Sequence, residues 1–357
     1  MRANGTASQG MCPSQSKPSH LGTPMSLNDT WIANEVNSAK TIARLSLPRY
    51  GFDHNTELSL ISTSENAIFQ VKPSGGQAAA ILRVHRRRYH TEASIRSELS
   101  WMQALRFDAG LSVPKVVPAT DGSLVVTVVE PERMERWLVV LFEYMPGTHP
   151  RPDQVSGLAE AIGAITATLH LHASRWPRES WFERPVWNCD EILGRSARFG
   201  SWQRNNVITH TQFTTLEKLD IYIRNSLDEY GKGSNRYGLI HADIRLENLL
   251  IDGKDIHIID FDDCGDGWYM YDPSAFLALS GPAAQEERLI SAWLSGYTQV
   301  RRLSSMDEEN IALFTLLRRL LLIGWAATHT SATLSDSLQE SFVEDTCLAA
   351  QKYLRKA

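Results

Sequence analysis

Between Leu58 and Val129 the chain alternates short apolar runs with turn formers. Leu58 to Ser62, Ala67 to Val71, Ala79 to Val84 and Leu124 to Val129 are rich in branched residues, and Gly, Pro, Ser and Asp separate them. This pattern predicts a small antiparallel sheet. One segment inside it has a different period: Thr91 is suited to an N-cap, and Ile95, Leu99, Met102 and Leu105 follow at intervals of three and four. A helix with one apolar face is expected there, ending at Gly110. Trp137 to Tyr144 reads as a continuous apolar strand that Met145-Pro146-Gly147 stops, which places a boundary near residue 145.

Beyond that boundary the period is mostly helical. Leu158, Ile162, Ile165 and Leu169 share one face, a further helix covers Leu216 to Tyr230, and the tail from Ser291 to Leu354 is helical. An apolar stretch from Leu313 to Trp325 carries two charges, Arg318 and Arg319. A β island interrupts the helices: Leu239 to Ile240, Leu249 to Ile251 and Ile256 to Phe261, with Asp252-Gly253 as a hairpin turn. The expected class is therefore α+β and bilobal, with a small N-lobe over residues 29–145 and a larger, mostly helical C-lobe over 146–357.

Composition narrows the function. At 357 residues, with 43% hydrophobic and 22% charged, the chain is long enough for two packed lobes and ordinary for a folded globular protein. A net charge of -5 without long single-sign blocks disfavours nucleic acid as a partner; Arg86-Arg87-Arg88 is too short to change that. The four cysteines are scattered, with no metal-ligand spacing. No apolar run approaches the roughly 20 residues that span a bilayer, so no membrane span is expected. Residues 1–28, rich in Ser, Gly, Pro, Gln and Asn, read as a disordered leader of a cytoplasmic protein.

The chemistry lies around the β island. His241-Ala242-Asp243-Ile244-Arg245-Leu246-Glu247-Asn248 is an H-x-D-x-x-x-x-N string, and Asp260 follows Ile256-His257-Ile258-Ile259. Phosphoryl transfer to a hydroxyl needs one carboxylate to orient the nucleophile and two oxygen ligands for the magnesium that bridges the nucleotide phosphates. Asp243, Asn248 and Asp260 supply that set. A hairpin return would bring Asn248 and Asp260 to neighbouring strand ends and leave Asp243 free for the acceptor.

This string resembles the catalytic loop of the protein-kinase-like superfamily, and Asp260-Phe261-Asp262-Asp263 resembles its metal-binding segment without the usual glycine. The H-A-D loop and Gly267-Trp268-Tyr269-Met270-Tyr271-Asp272 make the chain similar to the aminoglycoside phosphotransferase and choline kinase branch, which includes homoserine kinases and bacterial stress-response kinases. Ser64-Glu65-Asn66-Ala67-Ile68-Phe69, Ile81-Leu82-Arg83-Val84 and Glu98 extend the resemblance over most of residues 55–350.

The resemblance implies a protein-kinase-like fold, ATP and Mg2+ as cofactors, and a small-molecule hydroxyl as acceptor. It also implies a role for each residue: Asp243 as base, Arg245 opposite the transferred phosphate, Asn248 and Asp260 on the metal, and Arg83 with Glu98 on the nucleotide. Backbone groups of Glu143 and Met145, at the lobe junction, would meet the adenine edge. Two departures stand out. Arg83 replaces the superfamily's lysine, keeping the charge on a bulkier planar head, and Ser62 to Asn66 stands where a glycine-rich loop would cover the phosphates.

Several positions keep two readings. His241 is either a base or a loop support, and Asp272 either braces the catalytic loop or takes part in it. Arg83 and Glu98 are either a nucleotide clasp or a surface ion pair. Trp176, Trp181, Phe182, Trp187 and Trp202 either line an acceptor pocket or pack a core. Asp262, Asp263 and Asp266 either receive a cationic acceptor or form a solvated turn. Two rival functions also stand beside the small-molecule kinase: a protein Ser/Thr kinase of the stress-response type, and a nucleotide-binding pseudokinase or scaffold.

Overall fold

The computed structural model describes residues 27–63, 66–73, 80–279, 283–328 and 336–355. The chain opens with helix α1 (Leu27–Ser46), then β1 (Glu57–Thr63), β2 (Ala67–Lys72), β3 (Ala80–Val84), α2 (Glu92–Asp108), β4 (Val116–Val117), β5 (Val126–Val129) and β6 (Arg136–Glu143). The strands form one antiparallel sheet in the order β1-β2-β3-β6-β4, and β5 also pairs with β6.

Strand alternation gives this sheet two apolar faces. Phe69, Val71, Leu82, Val84, Trp137, Val139 and Leu141 pack with Ala39, Ile42, Ala43 and Leu47 at the α1 end. Val140 and Phe142 point the other way, into the cluster holding Ile95, Leu99, Met102 and Leu105 of α2. The N-lobe sheet therefore carries a helix on each face, one more than the strand-rich pattern suggests. The spacing of Ala39, Ile42 and Ala43 is the helical signal for α1, whose first described residues, Leu27 and Asn28, take up the end of the expected leader. Residues 1–26 of that leader, and Ser64 and Glu65 of the phosphate loop, lie outside the described residues.

The expected α2 forms as its sequence dictates: the Thr91 hydroxyl caps it by accepting from the Ser94 N–H at 3.0 Å, and Gly110 follows its end with φ +64°. At the lobe boundary Gly147 has φ +123°, and a Cβ there would sit 2.9 Å from the Ile251 carbonyl. This close approach lets Thr148 bridge to Ile251 through two backbone hydrogen bonds.

The C-lobe continues with α3 (Val155–Ala173), β7 (Val186–Trp187), α4 (Cys189–Leu193), α5 (His210–Tyr230), β8 (Tyr237–Ile240), β9 (Leu249–Asp252), β10 (Asp255–Ile258) and β11 (Gly265–Trp268). It ends with α6 (Ser274–Leu277), α7 (Ala283–Val300), α8 (Ser305–Glu309), α9 (Ile311–Thr328) and α10 (Asp336–Leu354). β9 and β10 form the expected hairpin, with Asp252 opposite Asp255, so the turn residues are Gly253 and Lys254. β10 stops at Ile258 rather than Phe261 because Asp260 takes φ +63°, which no strand continues. β8 pairs instead with β11.

The segment Ser305–Thr328 is long and apolar enough by composition to cross a bilayer, yet 72% of its apolar window is buried within the protein. Most of it is α9, a buried core helix of the C-lobe. Its buried Arg318 and Arg319 are the charges that interrupt the apolar run.

Candidate active site

β8 ends beneath the catalytic loop, and the loop is held from below by Asp272. Oδ1 of Asp272 accepts the Ala242 N–H at 2.6 Å and Oδ2 accepts the His241 N–H at 3.1 Å. The His170 Nε2–H also donates to Asp272 Oδ2 at 2.9 Å, and the His170 Nδ1 accepts from Tyr297. These bonds hold Ala242 at φ +68°, a left-handed conformation that a non-glycine residue keeps only when its surroundings impose it. Asp272 is thus a brace, fully buried.

His241 is a support as well. Its Nδ1 accepts the Asp243 N–H at 3.3 Å and its Nε2–H donates to the Ile259 carbonyl at 3.2 Å. Burial holds its pKa below the ordinary imidazole range despite nearby Asp272 and Asp243.

Asp243 is locked by three side chains. Arg318 Nη2 donates to Oδ1 at 2.5 Å, while Arg245 Nε at 3.1 Å and Asn248 Nδ2 at 2.8 Å donate to Oδ2. Burial pushes this carboxyl up, but the charges of Arg318 and Arg245 outweigh it and keep the pKa below its ordinary value. Arg318 also reaches the Ala242 carbonyl and the Tyr271 hydroxyl, each at 3.2 Å. Sequence reasoning registered Arg318 only as a charge in an apolar helix. That charge, with no polar face to occupy, was the available signal.

Asn248 and Asp260 come together as the hairpin predicts: the Ile259 N–H donates to the Asn248 carbonyl at 3.0 Å, next to Asp260. Since the Asn248 amide nitrogen is spent on Asp243, its Oδ1 is the atom left to bind a cation. The Asp260 side chain is 47% exposed, and its position against the protein wall beside the charge of Asp262 raises its pKa. Among the described residues no cluster of three His, Cys, Asp or Glu side chains can hold a metal alone. One amide oxygen and one carboxylate fit a hard divalent cation whose other ligands are phosphates and water.

Across the cleft, Leu82 and Val84 face α1, so Arg83 between them must face α2. There its Nη2 contacts both oxygens of Glu98 at 2.8 Å, with both residues buried. Burial removes the surface-pair reading. The other terminal nitrogen lies 3.9 Å from Asp260 and 3.8 Å from Asp262, so Arg83 spans the two lobes. Phe142 lies under the guanidinium, 5.1 Å from its ring centre. At the lobe junction the Glu143 N–H is taken by the Lys115 carbonyl at 2.8 Å, and its carboxylate by Lys115 Nζ at 2.5 Å. Met145 follows two residues on, partly buried at the start of the crossover.

The aromatic segment is largely core. Trp187 and Trp202 are fully buried, Trp202 donating to Asp220 and Trp187 to the Asp263 carbonyl, each at 2.8 Å. Trp176 packs edge-on against Phe182, and Trp181 is exposed. The three later aspartates differ: Asp262 lies among Arg83, His85 and His90, Asp266 pairs with Arg178, and Asp263 accepts from the Tyr89 hydroxyl.

Comparison with known proteins agrees with the fold. Residues 57–307 match the phosphotransferase enzyme family. The microcompartment-associated aminopropanol kinase is 39% identical, with a TM-score of 0.81, covering 89% of this chain and 98% of that one. Amicoumacin kinase of Bacillus subtilis (strain 168) is 24% identical over 287 residues, 77% of this chain and 81% of the relative. An amicoumacin kinase solved with AMP-PNP and Ca2+ has a TM-score of 0.72 at 23% identity, covering 88% of this chain and 95% of that one. With a bilobal kinase-like fold around a braced catalytic loop, the chain belongs to the phosphotransferase enzyme family and is a small-molecule kinase that uses ATP with a divalent cation and an alcohol as acceptor.

Proposed function

We propose that this protein transfers the γ-phosphoryl group of ATP to the hydroxyl of a small amino alcohol, with Mg2+ as the cation. The observation that carries the reading is the fixed Asp243 carboxylate, ionised by Arg318 and Arg245, in a chain 39% identical to a protein named an aminopropanol kinase. Asp243 accepts a hydrogen bond from the acceptor hydroxyl and orients its oxygen. The new bond forms between that oxygen and the γ-phosphorus, the bond from the γ-phosphorus to the β-bridging oxygen breaks, the hydroxyl proton passes to Asp243, and ADP leaves.

Asn248 Oδ1 and Asp260 would hold the cation, which when bound neutralises charge on the phosphates. Arg83, steadied by Glu98, faces the same phosphates from the N-lobe. Arg245, more exposed than Arg318, takes the oxygens of the moving phosphoryl group. At the junction the Glu143 carbonyl and the Met145 N–H are the backbone groups assigned to the adenine edge.

A screen of ATP consumption across amino alcohols, aminoglycosides, hydroxy amino acids and nucleosides tests this, with Asp243→Asn as the blank. An amino alcohol should respond, and the blank should lose about 10²- to 10⁴-fold in turnover. Equal turnover in the blank removes Asp243 from the mechanism, and phosphate appearing on protein instead of a metabolite overturns the acceptor class.

A further inference from the structure

One buried cation beside the site has no carboxylate partner. Among the described residues Arg184 forms no ion pair, and its charge is met by oxygen dipoles instead. Its Nε–H donates to the Cys264 carbonyl at 2.6 Å. Nη1 donates to the Ser94 carbonyl at 3.0 Å and to the Ser94 hydroxyl at 3.2 Å. Nη2 donates to the Phe261 carbonyl at 3.4 Å and to the Asp262 carbonyl. Each N–H of the guanidinium therefore has an acceptor.

These acceptors belong to two places. Phe261, Asp262 and Cys264 follow Asp260, whose φ of +63° a non-glycine residue keeps only when its neighbours impose it. Ser94 lies on α2, one turn before the Glu98 that holds Arg83. One side chain thus joins the segment carrying Asp260 to the helix carrying Glu98. On the near side of Asp260, the Ile259 N–H is already tied to Asn248. Arg184 fixes the chain on the far side.

The backbone around Arg184 makes the same link. The Glu183 N–H donates to the Ser97 hydroxyl of α2 at 2.8 Å, and the Thr91 hydroxyl donates to the Glu183 carboxylate at 2.9 Å. On its other side the Asp266 N–H donates to the Pro185 carbonyl at 2.8 Å, and Val186 pairs with Asp266. A Cβ at Gly265 would sit 2.4 Å from that Pro185 carbonyl oxygen, so the two segments lie in close contact. Residues 183–187 form a strap between α2 and residues 261–268.

We propose that Arg184 is a positioning residue, holding Asp260 in register with Arg83 and Glu98 so that cation and nucleotide phosphates are met together. This rests on the assignment of Asp260 to the cation above. A planar fork can serve two facing elements at once, whereas a lysine offers its donors from one nitrogen. Because its acceptors are carbonyls and a hydroxyl, replacing Arg184 with an apolar side chain strands no buried carboxylate.

The test is calorimetric binding of AMP-PNP to the full chain with and without saturating Mg2+, in the wild type, Asp260→Ala, Arg184→Met and Arg184→Lys, with thermal melting to verify folding. Mg2+ should tighten binding in the wild type, and Asp260→Ala should lose that gain. Arg184→Met should lower the gain on the order of 10-fold while keeping the Mg2+-free affinity, and Arg184→Lys should recover part of it. A folded Arg184→Met with the wild-type gain overturns the inference and leaves the Asp260 assignment intact. So does one that loses affinity equally with and without Mg2+, the mark of a purely structural residue. A wild type without the gain, or an Asp260→Ala that keeps it, overturns the assignment and the inference together. Should Arg184→Met fail to fold, Arg184→Lys decides: a smaller gain than the wild type supports the positioning role, and an unchanged gain overturns it.

Discussion

Asp243 and Asp260 face one cleft and are built in opposite ways. Asp243 is closed in by Arg318, Arg245 and Asn248, and its pKa is held down. Asp260 is 47% exposed, has among the described residues only the distant Arg83 as an ion-pair partner, at 3.9 Å, and its pKa is raised. The carboxylate proposed to keep one position through every turnover is saturated with protein partners. The carboxylate proposed to bind and release an ion is left exposed. Preorganisation here is selective, and the braces of the molecule lie under Asp243.

The largest effect that could break this contrast is on the base side. Arg318→Met should leave a buried carboxylate short of its closest partner and cost about 3 kcal/mol in urea denaturation. It should also lower turnover, with Arg318→Lys recovering part of both. Wild-type stability in Arg318→Met would mean that Arg245 and Asn248 suffice and that the asymmetry between the two aspartates is smaller than drawn.

On the nucleotide side the expected effect is more modest. Glu98→Gln keeps the shape of the Arg83 partner and removes its charge, so the KM for ATP should rise about tenfold, equivalent to roughly 1.4 kcal/mol, with little change in the acceptor KM. A change confined to the acceptor would detach the Arg83–Glu98 pair from the nucleotide.

The smallest effect sharpens the account of the brace. Burial holds the pKa of His170 and His241 below the ordinary imidazole value of about 6.5, against the pull of Asp272. The unfolded chain therefore binds protons at these positions before the folded one does. Stability is complete above about pH 6.5 and falls as pH drops below it, down to the folded pKa, at up to about 1.4 kcal/mol per pH unit for each histidine. Denaturation curves of wild type and His170→Gln at pH 7.5 and 5.5 measure this, and the variant should show the shallower dependence.

How much of this was legible in the sequence depended on distance along the chain. Asp243, Asn248 and Asp260 stand within one loop and hairpin, so their spacing alone carries their geometry. Thr91 announced the start of α2 through local hydrogen bonding, and strand alternation is enough to aim Arg83 at α2. Arg318 lies 75 residues beyond Asp243, and only tertiary packing brings it to the carboxylate. The run Asp262, Asp263 and Asp266 looked uniform as a sequence. Their separate surroundings come from β3, the loop around Tyr89 and the Arg178 segment, none of which is adjacent in sequence. Helix α1 carried a readable period but stood next to a leader of very different composition.

The apolar face of α2 has a thermodynamic consequence. Ile95, Leu99, Trp101, Met102 and Leu105 belong to the same buried cluster as α3, α5 and α9, whereas α1 and the opposite face of the sheet form a cluster of their own. The break near residue 145 is thus a boundary of shape and not of cooperativity. A fragment ending there would expose the side of α2 that the C-lobe covers, so the lobes are expected to unfold together, with α2 belonging energetically to the half of the molecule that follows it in the chain.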